Sequence, residues 1–375
     1  MTRLLALFSI VLALALPASA QARADQVLWV DARGQTRLVR GTIKENSLAR
    51  VVIDEGERDR TLAPLEVLRI VFGEVPPSFG EAESYLDRDD FENAAAKFQI
   101  AAGDASAREV VRAAARLRAA EAWMSQGAKD PEGFRQAVSA SERFLADFPN
   151  HRDVPAARAL QARATWLSGD APRAAELLRA LFQEGRAKTG SGYPIEGVHR
   201  AGLSAAETFL TAGEAAKARE MFNAVDSSLA EALAAVTAGT PQHAALAELE
   251  SLARQGEGRC LLASGNTSQA RTFFQRERDA SQTNTQRFGA QLGLAEALLA
   301  DGHAREAEIE FAQVSALDAG DRDRVARALL GLAECALRLP ESTARQQARR
   351  WIQVVRDHYG DTPSARRAKT LSETL

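Results

Sequence analysis

The chain has 375 residues, of which 26% are charged and 6% aromatic, and its 47 basic and 50 acidic side chains leave a formal net charge of −3. This near balance gives no support to a nucleic-acid partner. None of the five histidines has another histidine, a cysteine or a carboxylate at a spacing typical of a metal site, so we expect neither a metal nor a cofactor.

The first twenty residues have the pattern of a secretory signal peptide. A single positive charge at Arg3 precedes an apolar run from Leu4 to Leu16, and Ala18-Ser19-Ala20 offers a small-x-small cleavage site. The apolar run is too short for a permanent membrane span, and no cysteine follows the site to accept a lipid. We therefore predict a signal peptide over 1–20 and an exported protein, most simply one of a Gram-negative periplasm.

Residues 21–75 read as a small β-module. Short segments rich in β-branched residues are separated by turn residues, and they predict strands at Val27–Val30, Thr36–Ile43, Leu48–Ile53 and Leu65–Phe72. Arg60-Thr61-Leu62 is a candidate fifth strand. Five short strands in this length suit an SH3-like or Sm-like barrel.

Pro76-Pro77 marks a linker over 76–80, and a repeating pattern of helical hairpins begins at residue 81. In each repeat a turn residue is followed five positions later by alanine and four positions after that by a large apolar residue. The triplets are Asp89–Ala94–Phe98, Gly169–Ala174–Leu178, Gly213–Ala218–Phe222, Gly265–Ala270–Phe274 and Gly302–Ala307–Phe311.

Each position of the triplet has a physical role. The turn residue ends the first helix of a hairpin and needs access to positive φ. The alanine lies in the second helix where two backbones cross closely, and the large residue fills the gap to the next hairpin. Residues 81–375 are therefore predicted to form an α-solenoid of about seven helix pairs, and the fold class is mainly α.

The segment Leu167-Ser168-Gly169-Asp170, followed by Ala174 and Leu178, resembles the core motif of the tetratricopeptide (TPR) repeat family. Phe144-Leu145-Ala146-Asp147-Phe148-Pro149 resembles the end of such a repeat. The whole chain resembles an exported bacterial TPR protein with an N-terminal β-module. This resemblance implies stacked hairpins whose first helices line a concave groove that binds a protein or peptide.

Spacings between equivalent alanines depart from the family's period of about 34 residues. They run from 37 residues, between Ala137 and Ala174, to 52, between Ala218 and Ala270. We attribute the difference to expanded loops, notably over 186–197 and 227–242.

Cys260 and Cys335 fall in first helices two repeats apart. We interpret them as buried packing residues rather than as a disulfide.

No motif predicts catalysis. The chain lacks G-x-S-x-G, a glycine-rich phosphate loop and H-E-x-x-H, and its acidic pairs fall at turns where they cap helices. We expect a protein that is not an enzyme.

Counting back from each hairpin turn places six candidate partner-binding residues on the groove side of the first helices. They are Arg163, Trp166, Arg200, Glu207, Arg259 and Glu296. Their charges are of mixed sign, so a solvated surface is the alternative for the charged members. Trp29, Trp123, Trp166 and Trp351 are each either core residues or partly exposed contacts.

The C-terminal end is locally basic, and it reads either as a polar helix that caps the stack or as a surface for an anionic partner. Its basic residues are Arg345, Arg349, Arg350, Arg356, Arg366, Arg367 and Lys369.

These features predict a non-catalytic periplasmic scaffold that binds a protein or peptide partner during assembly or maintenance of the cell envelope. Two alternatives remain open at this point: a module that binds cell-wall glycan or another envelope polymer, and an accessory subunit of an envelope hydrolase. The pathway, the partner and the oligomeric state do not follow from the sequence.

Overall fold

The computed structural model describes residues 24–188, 191–340, 342–360, 362 and 364–373. The predicted signal peptide, residues 1–20, lies outside this part of the chain. Within it, a small antiparallel sheet is followed by fifteen helices that pack as consecutive hairpins. The predicted fold class is confirmed.

Five strands build the sheet. They are β1 (Asp25–Val30), β2 (Thr36–Asn46), β3 (Val51–Asp54), β4 (Asp59–Leu62) and β5 (Val67–Val71), in the spatial order β4-β3-β2-β1-β5 with all neighbours antiparallel. The candidate strand at residues 60–62 is therefore real. β3 starts three residues later than predicted because Ser47 and Arg50 close a tight turn, with the Ser47 N–H donating to the Arg50 carbonyl.

The helices alternate along the chain between first and second members of seven hairpins, and the fifteenth ends the stack. They are α1 (Pro77–Leu86), α2 (Phe91–Gly103), α3 (Glu109–Gln126), α4 (Glu132–Asp147), α5 (Val154–Leu167), α6 (Ala171–Ala187), α7 (Ile195–Thr211), α8 (Ala215–Ala235), α9 (Pro241–Ala263), α10 (Thr267–Ala280), α11 (Asn284–Ala300), α12 (Ala304–Leu317), α13 (Arg322–Arg338), α14 (Ala344–His358) and α15 (Ser364–Glu373). α1 begins inside the segment 76–80 that we predict as a linker. Pro77 is tolerated at its first position because the missing N–H has no intrahelical partner there.

All five turn positions of the repeated triplet have positive φ. The values are 55° at Asp89, 99° at Gly169, 81° at Gly213, 76° at Gly265 and 88° at Gly302. Four of the five are glycine, which enters this region without a steric cost, whereas asparagine and aspartate enter it at a modest one. The pattern in the sequence thus reports the backbone reversal inside each hairpin.

The large residue of the triplet fills a glycine notch on a neighbouring helix. The ring of Phe274 lies against Gly258 of α9 and Gly293 of α11, and a Cβ atom built at either glycine would overlap it. Phe311 packs in the same way against Gly331 of α13. Close approach of two helices thus requires glycine on one side of each seam and phenylalanine on the other.

The prediction of an expanded loop over 227–242 is wrong. α8 continues to Ala235 and α9 begins at Pro241, so five residues connect them and the extra length lies in the two helices. Leu229, Leu246 and Leu249 are buried in one cluster, which stabilises the added turns. For the expanded loop predicted over 186–197, α6 ends at Ala187 and α7 begins at Ile195, so the connection is shorter than predicted.

The β-module packs along one edge of the solenoid, on the connections that join one hairpin to the next. Asp25 of β1 binds Arg108, next to the start of α3, in a two-pronged ion pair with distances of 2.7 Å. Leu48 lies against the apolar cluster around Phe144 and also against the one that contains Tyr193. Three successive connections are thus joined to the sheet.

His151 anchors the middle one of these connections. Its Nδ1 accepts the N–H of Asp153 at 3.2 Å, so the ring proton lies on Nε2, which is 2.9 Å from the Asn46 side-chain amide. When the Asn46 amide is oriented with its Oδ1 toward Nε2, the ring N–H donates to that oxygen, and both the ring and the amide oxygen have a partner. Burial lowers the pKa of His151, although the nearby Asp153 carboxylate raises it, and the ring stays neutral at neutral pH.

Candidate functional site: a groove between α5 and α7

The first helices of the hairpins form one layer of the solenoid. α7, α9, α11 and α13 each contact the next odd-numbered helix, but α5 and α7 lie farther apart. A cavity of about 520 Å³ opens between them. We call this cavity the α5–α7 groove. It is lined by Ala159, Ala162, Arg163, Trp166, Leu178, Gly197, Arg200, Ala201, Ser204, Glu207, Thr208 and Thr211.

A change in the repeated triplet explains why the groove exists. Where four repeats carry phenylalanine, the repeat before α7 carries Leu178, which is half-buried and lines the cavity. Ser204, rather than a glycine, lies at the place in α7 that corresponds to Gly293 in α11, nine residues before the turn glycine of its hairpin, and it lines the cavity. Gly197, in the first turn of α7, also lines the cavity, and a Cβ atom there would meet only carbon atoms of Pro194, at 3.7 Å. The seam is therefore left partly unfilled at this repeat.

Four of the six predicted residues meet in the groove. Arg163 and Trp166 come from α5, and Arg200 and Glu207 come from α7. Trp166 is 41% exposed, which is unusual because tryptophan is highly buried on average. Spacing alone thus placed an aromatic residue and three charges on facing walls of one cavity.

The charged side chains of the groove differ in whether they are paired. Arg163 and Arg200 are exposed, and neither forms an ion pair or a hydrogen bond with any residue that the structure describes. Glu207, in contrast, binds the guanidinium of Arg259 on α9 through both of its oxygens, one of them at 2.8 Å. Since this carboxylate is already paired, the free charge in the groove is positive.

The other two predicted residues lie farther along the layer. Arg259 borders the groove through its bond to Glu207, and its guanidinium lies 5.8 Å from the ring centre of Phe222. Glu296 of α11 binds Arg327 of α13 at 2.7 Å and does not line the groove. The six predicted residues therefore form a row rather than a single site.

The remaining tryptophans differ in burial. Trp29 is partly buried against the core of the sheet. Trp123 packs on the cluster of Ala94, Ala95 and Ala122, and its indole N–H finds no acceptor among the described residues. Trp351 of α14 is 37% exposed. Of the four, Trp166 alone lines the α5–α7 groove.

The thiols have no partner and no reactive character. Cys260 and Cys335 are buried and free, which agrees with their interpretation as packing residues. Burial raises the pKa of Cys260 to about 11 and that of Cys335 to about 12, so both remain protonated at neutral pH. Within the described residues there is no group of three or more histidine, cysteine, aspartate or glutamate side chains arranged to hold a metal ion.

None of the helices in the described ranges combines the length and the apolar character needed to cross a bilayer. At the basic C-terminal end, Arg367 binds Glu334 of α13, and the Ser364 hydroxyl donates to Asp323 at 2.7 Å. These contacts attach α15 to the preceding hairpin, as expected of a helix that ends the stack.

Sequence reasoning missed two further cavities, of about 570 and 450 Å³, between β5 and the start of α5. Both are lined by Leu68, Arg152, Asp153 and Ala156. They arise from packing of the sheet on the solenoid, which no local pattern reports. The one signal in the sequence for the α5–α7 groove was the leucine at position 178.

Comparison with known proteins agrees with this architecture. The family model of the tetratricopeptide repeat matches residues 261–330, from the end of α9 into α13. No curated protein matches the chain in sequence.

Three solved structures illustrate the structural likeness. A tetratricopeptide repeat protein from Parabacteroides merdae is 12% identical, with 74% of this chain and 90% of that chain covered and a TM-score of 0.49. The TPR-like repeats of a putative kinesin light chain from Podosopora anserina are 20% identical, with coverages of 55% and 94% and a TM-score of 0.39. The quorum sensor NprR from B. thuringiensis is 10% identical, with 78% of each chain covered and a TM-score of 0.47. The family match and the repeating hairpins around it support a TPR repeat protein with a small antiparallel sheet ahead of the repeats.

Proposed function

We propose that this protein is a non-catalytic scaffold that binds a protein or peptide partner in the α5–α7 groove. The observation that carries the proposal is the convergence, on a cavity between first helices, of an exposed tryptophan and two arginines that pair with no described residue. Exposed tryptophan and arginine are the side chains most enriched at energetically important interface positions. The TPR architecture supports interaction with another protein as the mode of action.

We further propose that the partner belongs to the bacterial cell envelope. The support is the signal-peptide pattern at residues 1–20, with its short apolar run and its small-x-small site. An exported scaffold of this kind would hold components of an envelope assembly together.

Reversing both free charges of the groove tests the proposed binding face. The double variant Arg163→Glu and Arg200→Glu should abolish capture of the partner from envelope extract, measured by affinity purification and quantitative mass spectrometry. Its stability should change by less than about 0.5 kcal/mol, because both side chains are exposed and pair with none of the residues in the described ranges.

The matched control is Arg350→Glu and Arg356→Glu on α14. These two arginines are also exposed and form no ion pair with a described residue. Capture that survives reversal in the groove but is lost in the α14 variant would move the binding face to the basic end.

Processing of the chain tests the proposed export. Cleavage after Ala20 predicts that the protein purified from its native host begins at Gln21, in its free or cyclised form. Intact-mass measurement and N-terminal peptide mapping of the periplasmic fraction check this. A cytoplasmic protein that retains Met1 would refute the export proposal and leave the groove proposal untouched.

A further inference from the structure

The lining of the α5–α7 groove suits a ligand that is acidic at one point and apolar at the next. We propose that the groove takes a segment of a partner chain that places a large apolar side chain against Trp166 and acidic side chains against Arg163 and Arg200. This inference rests on the proposed function, and it names the class of peptide that the groove selects.

The apolar requirement follows from the walls of the groove. Trp166 is 41% exposed, and the apolar residues Ala162, Leu178 and Ala201 line the same cavity. Small side chains leave space in front of the indole, which a phenylalanine or leucine side chain of the partner can occupy. Burying an aromatic side chain there removes about 150–250 Å² of surface from water. An alanine in the ligand would leave most of that space empty.

The acidic requirement follows from the two arginines. They lie on facing helices, Arg163 one turn before Trp166 and Arg200 one turn before Ser204. No described carboxylate pairs with either. A guanidinium is weakly hydrated and binds a carboxylate through two parallel hydrogen bonds, which makes it the favoured partner for an acidic side chain at an interface.

The carboxylate of the groove itself does not compete for this position. Glu207 lies about two turns beyond Arg200 along α7, and Arg259 of the neighbouring helix holds both of its oxygens. The groove therefore offers two arginines that pair with no described residue, an exposed tryptophan, and a carboxylate at Glu207 that is already neutralised. A ligand with lysine in place of the acidic residue would face two like charges.

A segment from within a chain fits the groove better than a chain terminus. The layer of first helices continues from α7 to α9, α11 and α13, so a bound chain can extend past the groove in that direction. The Thr208 hydroxyl donates to the Ser204 carbonyl at 2.7 Å, whereas the Ser204 hydroxyl has no partner among the described residues. The Ser204 hydroxyl is thus available to a main-chain group of the ligand.

The test uses peptides with an acetylated N-terminus and an amidated C-terminus, so that side chains supply every charge. Three fluorescein-labelled nonapeptides share a glycine and serine background and differ in the central tripeptide: Glu-Glu-Phe, Gln-Gln-Phe or Glu-Glu-Ala. Binding to the full chain is measured by fluorescence anisotropy at low and physiological salt. We expect the Glu-Glu-Phe peptide to bind at least about tenfold more tightly than either of the others, since a charge-assisted pair and a filled apolar site are each worth about that factor.

Two variants assign the discrimination to named residues. Arg163→Gln with Arg200→Gln should remove the preference for Glu over Gln and keep the preference for Phe over Ala. Trp166→Ala should do the reverse. The control Arg350→Gln with Arg356→Gln should retain both preferences. The advantage of the glutamate peptide should also shrink as salt rises, because the arginines are exposed.

Several results would overturn the assignment of the ligand. These are equal binding of the three peptides, a preference for Glu that survives in the double glutamine variant, and no binding at all. Retention of the chain on purified peptidoglycan that depends on Trp166 would favour a glycan ligand instead.

Failure of this inference is distinguishable from failure of the proposed function. If partner capture depends on Arg163 and Arg200 while the peptides show no preference, the groove binds a partner of another chemistry. If peptide selection holds while partner capture ignores the groove, the proposed function fails.

Discussion

Replacing Phe274 with alanine is expected to lower the free energy of unfolding by about 3–5 kcal/mol. The side chain is 1% exposed and joins three helices, since its ring lies in glycine notches of α9 and α11 while its own backbone belongs to α10. Neither notch can close by a small rearrangement, because a glycine offers no side chain to fill the space. A cavity between two hairpins therefore remains.

A reciprocal variant tests the same seam from the other side. Gly293→Ala places a methyl group against the Phe274 ring, and overpacking of this kind costs about 1–3 kcal/mol. In the double variant the methyl group occupies part of the space that the ring has left. The combined cost should thus be smaller than the sum of the two single costs, as expected for residues in contact.

Denaturant unfolding gives the free energies, and hydrogen exchange shows where the stability is lost. In a solenoid each hairpin contacts only its neighbours, so exchange should increase first in α9 to α12 and later in the sheet. Simultaneous opening of the sheet and all hairpins in the Phe274→Ala variant would contradict this description of the molecule.

The hairpins were predictable from sequence because their determinants are local. A positive φ at Gly213 or Gly265 and a buried alanine five residues later are both requirements within one hairpin, and they recur in register. The identity of the seam residue was equally visible. Position 178 differs from its equivalents, and that difference lies beside the cavity that the structure shows.

The partners across each seam were not predictable in the same way. Gly256 and Gly293 are glycines in helix interiors, where local propensity counts them as weak helix formers. Their role depends on Phe222 and Phe274, which lie on other helices. The same limit explains the error over 227–242, where helix is stabilised by long-range burial of leucines rather than by a clear local period.

Attachment of the sheet to the solenoid was also invisible in the sequence. Asp25 and Arg108 are 83 positions apart, and nothing near either residue indicates a partner. The candidate site shows both limits. The residues on the two walls could be predicted by counting along the helices. Whether they are paired could not: only the structure shows that Glu207 is bound to Arg259 while Arg163 and Arg200 pair with no described residue.

Asp25 provides the second large effect, which depends on pH. Its carboxylate is buried and accepts four hydrogen bonds: two from Arg108 at 2.7 Å, one from the Ile43 N–H and one from the Gly73 N–H, both at 2.9 Å. Burial by itself raises the pKa of Asp25, but the Arg108 guanidinium and the two N–H groups outweigh it and hold the pKa below its ordinary value.

Asp25→Asn should cost about 3 kcal/mol at pH 7, because the variant leaves a partly buried guanidinium without its counter-charge and turns an amide N–H₂ toward donors. Loss of stability should be localised to the sheet and to its contact with the start of α3. Asp147→Asn is the control: Asp147 binds Arg116 at 3.1 Å in a more exposed pair, and its loss should cost less than about 1 kcal/mol.

The pH dependence of the sheet follows from the depressed pKa of Asp25. A carboxylate whose pKa is lower in the folded than in the unfolded chain contributes its full stability above the unfolded value of about 3.9, and the contribution is lost as pH falls through the folded value. The unchanged protein should therefore lose protection of the β1 and β5 amides as the pH is lowered below about 4, as measured by hydrogen exchange corrected for intrinsic rates. Asp25→Asn should lack this component and show weak protection at every pH, because it has no proton to bind at that position. Equal protection of the two proteins at pH 7 would show that the Asp25–Arg108 pair does not hold the sheet against the solenoid.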